Sequence, residues 1–290
     1  MDVWLFILKG KLAMRIKKEY KSIFFKSEKM PYLEARFVKN SSNHYHKHFH
    51  NTLSIGAIEE GKVSFAYLQE STILYPNELV VINPNIVHSC NPIKNESRTY
   101  HMIYLDTLWC QKLQESLFGE VNSYIPVSKF IIKDKNLYNK FIQLNYTLLN
   151  RDIFYLEKEE ALQNFLTKLF GQYCNKNLQN YTIKENKNIQ LAKEYIDKNI
   201  NSNPTVKEIS EIINISEFHF FKLFKQTFHI SPHAYLLNQK ICRAKELLAN
   251  QEEIAQVAYE LGFADQSHFS RVFKSYVAVT PNEYKKSFSK

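Results

Sequence analysis

HFFKLFKQTFHISPHAY, residues 219–235, and HFSRVFKSYVAVTPNEY, residues 268–284, are one pattern written twice. At an offset of 49 residues His219 matches His268, Phe220 matches Phe269, and Phe224-Lys225 matches Phe273-Lys274. Ser231-Pro232 then matches Thr280-Pro281, and Tyr235 matches Tyr284. Self-similarity at a fixed period is the mark of one supersecondary unit used more than once.

Each copy is preceded by a short amphipathic segment. In the first, Thr205 followed by Glu208 has the form of a capping box, and Val206, Ile209, Ile212 and Ile213 make an apolar face. Asn214-Ile215 interrupts it, and Ser216 caps a second helix whose apolar face is Phe220, Leu223, Phe224 and Phe228. In the second copy Ile254, Val257, Ala258 and Leu261 form the first face, and Gly262-Phe263-Ala264 makes the turn. Asp265 then caps a helix that turns Phe269, Val272, Phe273 and Tyr276 inward. Two short helices joined by a tight turn describe a helix-turn-helix. Gly262 suits a left-handed turn residue, and Asn214, in the matching place, is the next most tolerant type. Between the copies, Ser231-Pro232 opens a linker helix that runs to about Ala249. At 1.5 Å per residue it spans roughly 25 Å. That length holds two second helices about one DNA turn, roughly 34 Å, apart.

With RAKELL (243–248), IAQVAYELGF (254–263), DQSHFSRVFK (265–274) and TPNEY (280–284), residues 187–290 resemble the DNA-binding domain of the AraC/XylS family of bacterial transcription regulators. The first copy departs from that pattern, with Asn214-Ile215 in place of Gly-apolar and aromatics where polar readers are common. The resemblance implies double-stranded DNA as partner. With the apolar faces inward, the outward stripe is Phe218, Phe221, Lys222 and Lys225 on the first reading helix. On the second it is Gln266, Ser267, His268, Arg271 and Lys274. Arg or Lys pairs with guanine, Gln with adenine, and an exposed aromatic touches thymine methyls. Lys225 and Lys274, further round, suit phosphates. The plain alternative is a solvated surface, or, for the two phenylalanines, burial against the neighbouring helix.

The front half alternates as strands do: LSIGAI, VSFAYL, ELVVI and TYHMIYL, with turn chemistry at Gly61, Pro76-Asn77, Asn83-Pro84-Asn85 and Asn91-Pro92. Short, evenly spaced strands imply a small barrel or sandwich. PNELVVINPNIVH (76–88) resembles the cupin-like sensor domain of the same regulator family, with Asn77 where that pattern has Gly. The resemblance places the family's H-x-H on His48 and His50, with His88 as their distant partner. These three are the expected ligand-binding residues, with Tyr67 and Tyr104 as further candidates.

His48 and His50 belong to HYHKHFH (44–50), which has a histidine at every second position. In a strand all four imidazoles would share one face. Such a face could hold a metal, line a pocket or merely meet solvent. Cupin enzymes follow H-x-H with a glutamate ligand, whereas here Asn51, Thr52, Leu53 and Ser54 follow. Three neutral imidazoles alone can hold Zn, Fe or Ni. The expectation taken forward is an organic effector oriented by polar groups in an apolar cavity, with no metal or other cofactor. The alternatives are a metal-responsive regulator and a metal-dependent cupin enzyme.

Residues 107–176 turn helical, with Leu162, Phe165, Leu166, Leu169, Phe170 and Tyr173 as a stripe. The stripe serves either pairing of two chains into a homodimer or packing on the protein's own barrel. NLQNYTIKENKN (177–188) is polar and aperiodic, as linkers are. The 290 residues are 44% hydrophobic and 23% charged, which excludes a disordered chain and allows two domains. Net charge is +9, but residues 187–290 carry only 14 Lys/Arg against 11 Asp/Glu, so charge does not say which half meets nucleic acid. Cys90, Cys110, Cys174 and Cys242 are scattered, which favours reduced thiols in the cytoplasm and excludes an Ada-like repair protein built on clustered cysteines. No apolar run approaches the roughly 18 residues of a membrane span. Asp2 precedes the opening apolar run, which makes it a poor signal peptide, and either Met1 or Met14 is the start.

The expected fold class is therefore α+β and multidomain. An N-terminal segment (1–30) leads into a cupin-like β-barrel or sandwich (31–106) with a flanking helical segment (107–176). A linker (177–186) then joins an all-α domain (187–290) with two helix-turn-helix units on a linker helix. The expected function is sequence-specific transcription regulation, more as activator, with a small-molecule effector and RNA polymerase as a partner. No enzymatic activity and no membrane are expected. Arg271→Ala should weaken specific DNA binding by about 1–3 kcal/mol and relax preference at one base position. Lys274→Ala should weaken all sequences alike and lower the salt slope by roughly one. Binding titrations on selected and random duplexes decide it, and equal losses on both from Arg271→Ala would reassign Arg271 to a phosphate.

Overall fold

The computed structural model describes residues 21–175 and 187–288. Met14 and the expected linker 177–186 lie outside the described residues. The sensor half holds β1 (Lys21–Phe25), β2 (Leu33–Ser41), β3 (Leu53–Glu60), β4 (Val63–Tyr67), β5 (Glu70–Leu74), β6 (Leu79–Ile82), β7 (His88–Pro92), β8 (Arg98–Leu105) and β9 (Ile131–Ile132). Its helices are α1 (Thr107–Phe118), α2 (Lys135–Leu149) and α3 (Tyr155–Tyr173). The reading half is helical: α4 (Lys187–Lys198), α5 (Val206–Ile212), α6 (Glu217–Phe228), α7 (Pro232–Ala249), α8 (Ile254–Glu260), α9 (Gln266–Val277) and α10 (Pro281–Lys286).

Antiparallel pairing builds a six-stranded sheet, β1-β2-β8-β3-β6-β9, facing a three-stranded one, β5-β4-β7. Period two sorts the side chains of each strand between two faces. Leu79 and Val81 pack outward on the helices, while Val80 and Ile82 face the smaller sheet. This is the expected sandwich, but β1 lies before residue 31 and β9 after residue 106. β1, β2, β5, β7 and β9 escaped the sequence reading, since strands such as HSCNP in β7 carry no apolar alternation.

The α3 stripe is not a pairing surface. Leu162, Phe165, Leu166, Leu169 and Phe170 are buried with Phe141 of α2 and Ile55 and Ile103 of the sheet. Packing on the chain's own sheet removes apolar area from water without a partner, so the second alternative holds for this stripe.

In the reading half the expected caps are present. Thr205 and Glu208 close a capping box on α5, and Ser216, Ser231 and Asp265 cap α6, α7 and α9. Ile212 and Ile213 were both expected on the apolar face of α5; Ile213 is buried just beyond the helix end, but Ile212 is 52% exposed. α7 spans both lobes. Tyr235 and Leu236 join one core with α4, α5 and α6, while Ile241, Ala244, Leu247 and Leu248 join another with α8, α9 and α10. Buried Lys240 ties α7 to the second turn, its Nζ donating to Leu261 O at 2.6 Å and to Asn203 Oδ1. Burial pushes its pKa down to about 8.

Asn214 and Gly262 both adopt left-handed backbone, with φ of 53° and 64°. A Cβ on Gly262 would sit 2.3 Å from the carbonyl oxygen of Asn201, a backbone atom that cannot swing away. Gly262→Ala should therefore lower stability by about 1–3 kcal/mol. Thermal melts of the two proteins measure it, and an unchanged midpoint would show that the turn can relax.

Candidate functional site

HYHKHFH is not a strand. Residues 42–50 cross the mouth of the sandwich as an irregular strap, held by one isolated bridge between His48 and His88. His44 and His46 are exposed, so the four imidazoles do not share a face. The backbone N–H and C=O of His48 pair with those of His88 at 2.9 and 2.8 Å. His50 O accepts from Asn85 N at 2.7 Å. These bonds bring His48, His50 and His88 together, with ring centroids 4.5–5.2 Å apart and one ring nitrogen of each within 4.8 Å of the others.

The tautomers of two of these rings are set by their partners. His48 Nδ1 lies 2.6 Å from His46 O and His88 Nδ1 lies 2.8 Å from Ile86 O. A carbonyl only accepts, so Nδ1 carries the proton in both and Nε2 keeps its lone pair. Burial lowers all three histidine pKa values, that of His48 to about 4 and that of His88 to about 3. After burial, the mutual repulsion of the three rings lowers His50 and His88 further.

The rings wall a cavity of about 50 Å³ between the two sheets. That is room for about three to five waters at 10–15 Å³ each. Tyr104 lines it, edge-on to His50 at 5.1 Å. Tyr67 does not. It lies on Phe130 at 4.0 Å and lines a separate surface pocket. Sequence reasoning missed Tyr45, Arg98 and Tyr100, which also line the cavity. Arg98 is buried and donates to Asn43 O and Cys90 O, while the Tyr45 and Tyr100 hydroxyls bond each other. A tyrosine between two histidines in HYHKHFH was the available signal for Tyr45.

The other side of the strap grips the reading half. Phe49, between His48 and His50, is 4% exposed and stacks on Tyr235 of α7 at 5.1 Å. Its N–H donates to Asn238 Oδ1 at 3.1 Å, and its carbonyl accepts from Asn238 Nδ2 at 3.0 Å. Further contacts lead to the second lobe. Arg36 donates to Val277 O, Asn43 to Ala278 O and His46 N to Ser275 O. Tyr284 Oη donates to Glu34, which also pairs with Lys245 at 3.4 Å. Burial alone would raise the Glu34 pKa, but Lys245, Lys26, Tyr284 and Arg36 together hold it below the usual range.

On α6, Phe218, Phe221, Lys222 and Lys225 are exposed, and on α9 so are Gln266, Ser267, Arg271 and Lys274. His268 is half-buried, its ring 5.5 Å from that of Phe263. The inward Phe220, Phe224, Phe269 and Phe273 are fully buried, so the two stripes point away from their cores.

The profile of the AraC-like ligand binding domain matches residues 31–183, and that of a helix-turn-helix domain matches residues 209–287. The chain belongs to the AraC family. Its relatives include an uncharacterised HTH-type transcriptional regulator, YbfI, of Bacillus subtilis (strain 168), 26% identical over 82% of this chain and 86% of that protein. The lactose operon transcription activator of Staphylococcus xylosus is 21% identical over 80% of this chain and 83% of that protein. Among solved structures, unsaturated fatty acid bound wild-type ToxT from Vibrio cholerae strain SCE256 shares the two-domain fold. It has a TM-score of 0.55 at 18% identity over 92% of this chain and 96% of that one. This AraC-family protein is thus a transcription regulator with a ligand-binding domain in front of a DNA-binding one. Among its described residues no helix is long and apolar enough to cross a membrane.

The buried histidines give the regulator a pH signature. Their folded pKa values lie below the ordinary 6.5, so between about 6.5 and 4 the unfolded chain binds more protons than the folded one. Stability is full above pH 6.5 and falls as pH drops through that window, by up to about 1.4 kcal/mol per unit for each histidine. Melting curves from pH 7.5 to 4 should show the fall, and His48→Gln with His88→Gln should flatten it. Parallel curves would place the titrating groups elsewhere.

Proposed function

We propose that occupancy of the histidine-walled cavity is passed through residues 43–50 to α7, and so to the pose of the two reading helices on DNA. The observation that supports this most directly is the paired amide contact between Asn238 and Phe49. His48 and His50 face the cavity, while the residue between them is fastened to the helix that carries both lobes. A displacement of the His48 or His50 backbone reaches Phe49 directly, because one peptide bond separates each from it. A ligand can bias the pose only by its difference in affinity for the two states.

DNA reading falls to Phe218, Phe221, Lys222 and Lys225 on α6 and to Gln266, Ser267, His268, Arg271 and Lys274 on α9. The support is their exposure on matched helices of a duplicated unit. His48, His50, His88 and Tyr104 form the ligand site. The regulator acts as an activator in the cytoplasm and meets RNA polymerase there. The named activator among its relatives supports that sense. Any pairing of two chains uses a surface other than the α3 stripe, and Phe154 and Leu156, exposed at the start of α3, offer one. No catalytic role is proposed.

The transmission route is tested by a double-mutant cycle on operator affinity. His48→Ala should change the affinity of the full chain, and Asn238→Ala should largely abolish that change, giving a coupling of about 0.5–3 kcal/mol. Asn238→Ala alone should cost about 1–3 kcal/mol of stability, because the Phe49 N–H and C=O lose their partner. Additive effects on affinity would break the route.

A further inference from the structure

We propose that the cavity holds a divalent transition-metal ion on the imidazoles of His48, His50 and His88. The inference rests on reading that cavity as the regulator's ligand site, and it names the chemical class of the ligand. It replaces the organic effector expected from the sequence.

Three observations carry it. First, geometry: one ring nitrogen from each residue already falls within 4.8 Å of the other two. Bonds of 2.0–2.1 Å from a tetrahedral ion to imidazole place ligand nitrogens about 3.3 Å apart. Small ring rotations close the difference, and the backbone bonds between His48 and His88 and from Asn85 to His50 keep the three residues in register. Second, orientation: the Nδ1–H groups of His48 and His88 donate to the carbonyls of His46 and Ile86. This outer hydrogen bond fixes a ligating histidine, and it leaves Nε2 bare in a wall where no protein donor reaches it among the described residues. Third, space: a cavity of about 50 Å³ suits one ion with a few solvent molecules and is far below what a drug-sized organic ligand fills.

The donor set narrows the ion. Three neutral imidazoles with no Asp or Glu among the described lining residues suit Zn²⁺, Ni²⁺, Co²⁺ or Cu²⁺ rather than Mg²⁺ or Ca²⁺. Three protein ligands leave the fourth position of a tetrahedral ion to solvent. The ion would draw His50 towards the bridged pair and thereby pull on Phe49.

The test uses the untagged full chain, stripped with chelator and titrated with CoCl₂ and ZnSO₄. Expected are one equivalent of Co²⁺ with visible d–d absorption, displacement by Zn²⁺, and metal analysis showing one ion per chain. His48→Ala, His50→Ala and His88→Ala should each weaken binding by at least about a hundredfold, the upper end of what outer-shell changes alone cause. His44→Ala and His46→Ala should leave it unchanged, and the thermal melt of each variant shows that it is folded. No stoichiometric ion, or an ion retained by folded His88→Ala protein, overturns the proposal. The His48–Asn238 cycle read in metal-free protein keeps the two questions apart. Coupling in that protein together with a failed metal titration preserves the sensor reading and removes the metal. A bound ion with no coupling keeps the metal and removes the sensor reading.

Discussion

A single primary amide, that of Asn238, joins the two halves of this regulator at a buried point. It is 2% exposed and meets both backbone polar groups of Phe49, which crosses the interface outside any sheet. Buried N–H and C=O groups must find partners, and here no neighbouring strand provides them. A side-chain amide, with a donor and an acceptor on one carbon, imitates the missing strand. Phe49 adds the apolar share, on the order of 1.5–3 kcal/mol for full burial of such a ring. The strap thus belongs to two environments at once, with imidazoles on one side and α7 on the other.

α7 turns that local attachment into a property of the whole reading half. Its first turns are packed with α5 and α6 and its last turns with α8 and α9, so neither lobe can move independently of it. Lys240 strengthens the tie by holding the second turn from within. Arg36, Asn43, His46 and Glu34 fix the second lobe to the same sensor surface that Phe49 fixes the first. The pose of the two stripes is therefore set jointly by contacts that begin within a few residues of the cavity.

The cavity itself is small and rich in imidazole, with its polar groups already committed to particular roles. Arg98 is spent on carbonyls, the Tyr45 and Tyr100 hydroxyls on each other, and two histidine Nδ1–H groups on the backbone. What remains to line the space are the Nε2 lone pairs of His48 and His88, the His50 ring, the Tyr104 hydroxyl and the Cys90 thiol. A second cavity of about 40 Å³ shares Tyr45, His48, His50 and Tyr104 with the first and has Asn238, Cys242 and Lys245 in its wall. The rings are thus a partition between sensor and reading half.

Local patterns in the chain were enough for the reading half. Its helices, caps and left-handed turn residues follow from side-chain spacing within a turn or two, and the repeat doubles every signal, so Thr205, Ser216, Ser231, Asp265 and Gly262 could be assigned directly. α4 escaped, because its start adjoins a polar, aperiodic stretch. In the sensor, alternating strands such as LVVI were legible, whereas β7 was not, since its burial comes from strands 20 or more residues away. His48, His50 and His88 were legible as a set only through family resemblance, and their alternation suggested a strand that does not exist. Tertiary structure decided the rest: that the α3 stripe packs on its own sheet, that Tyr67 lines a pocket other than the histidine cavity, and that Phe49 reaches Asn238. Periodicity reports which residues want burial, but the partner that buries them is set by chain segments far apart in sequence, and only folding brings those together.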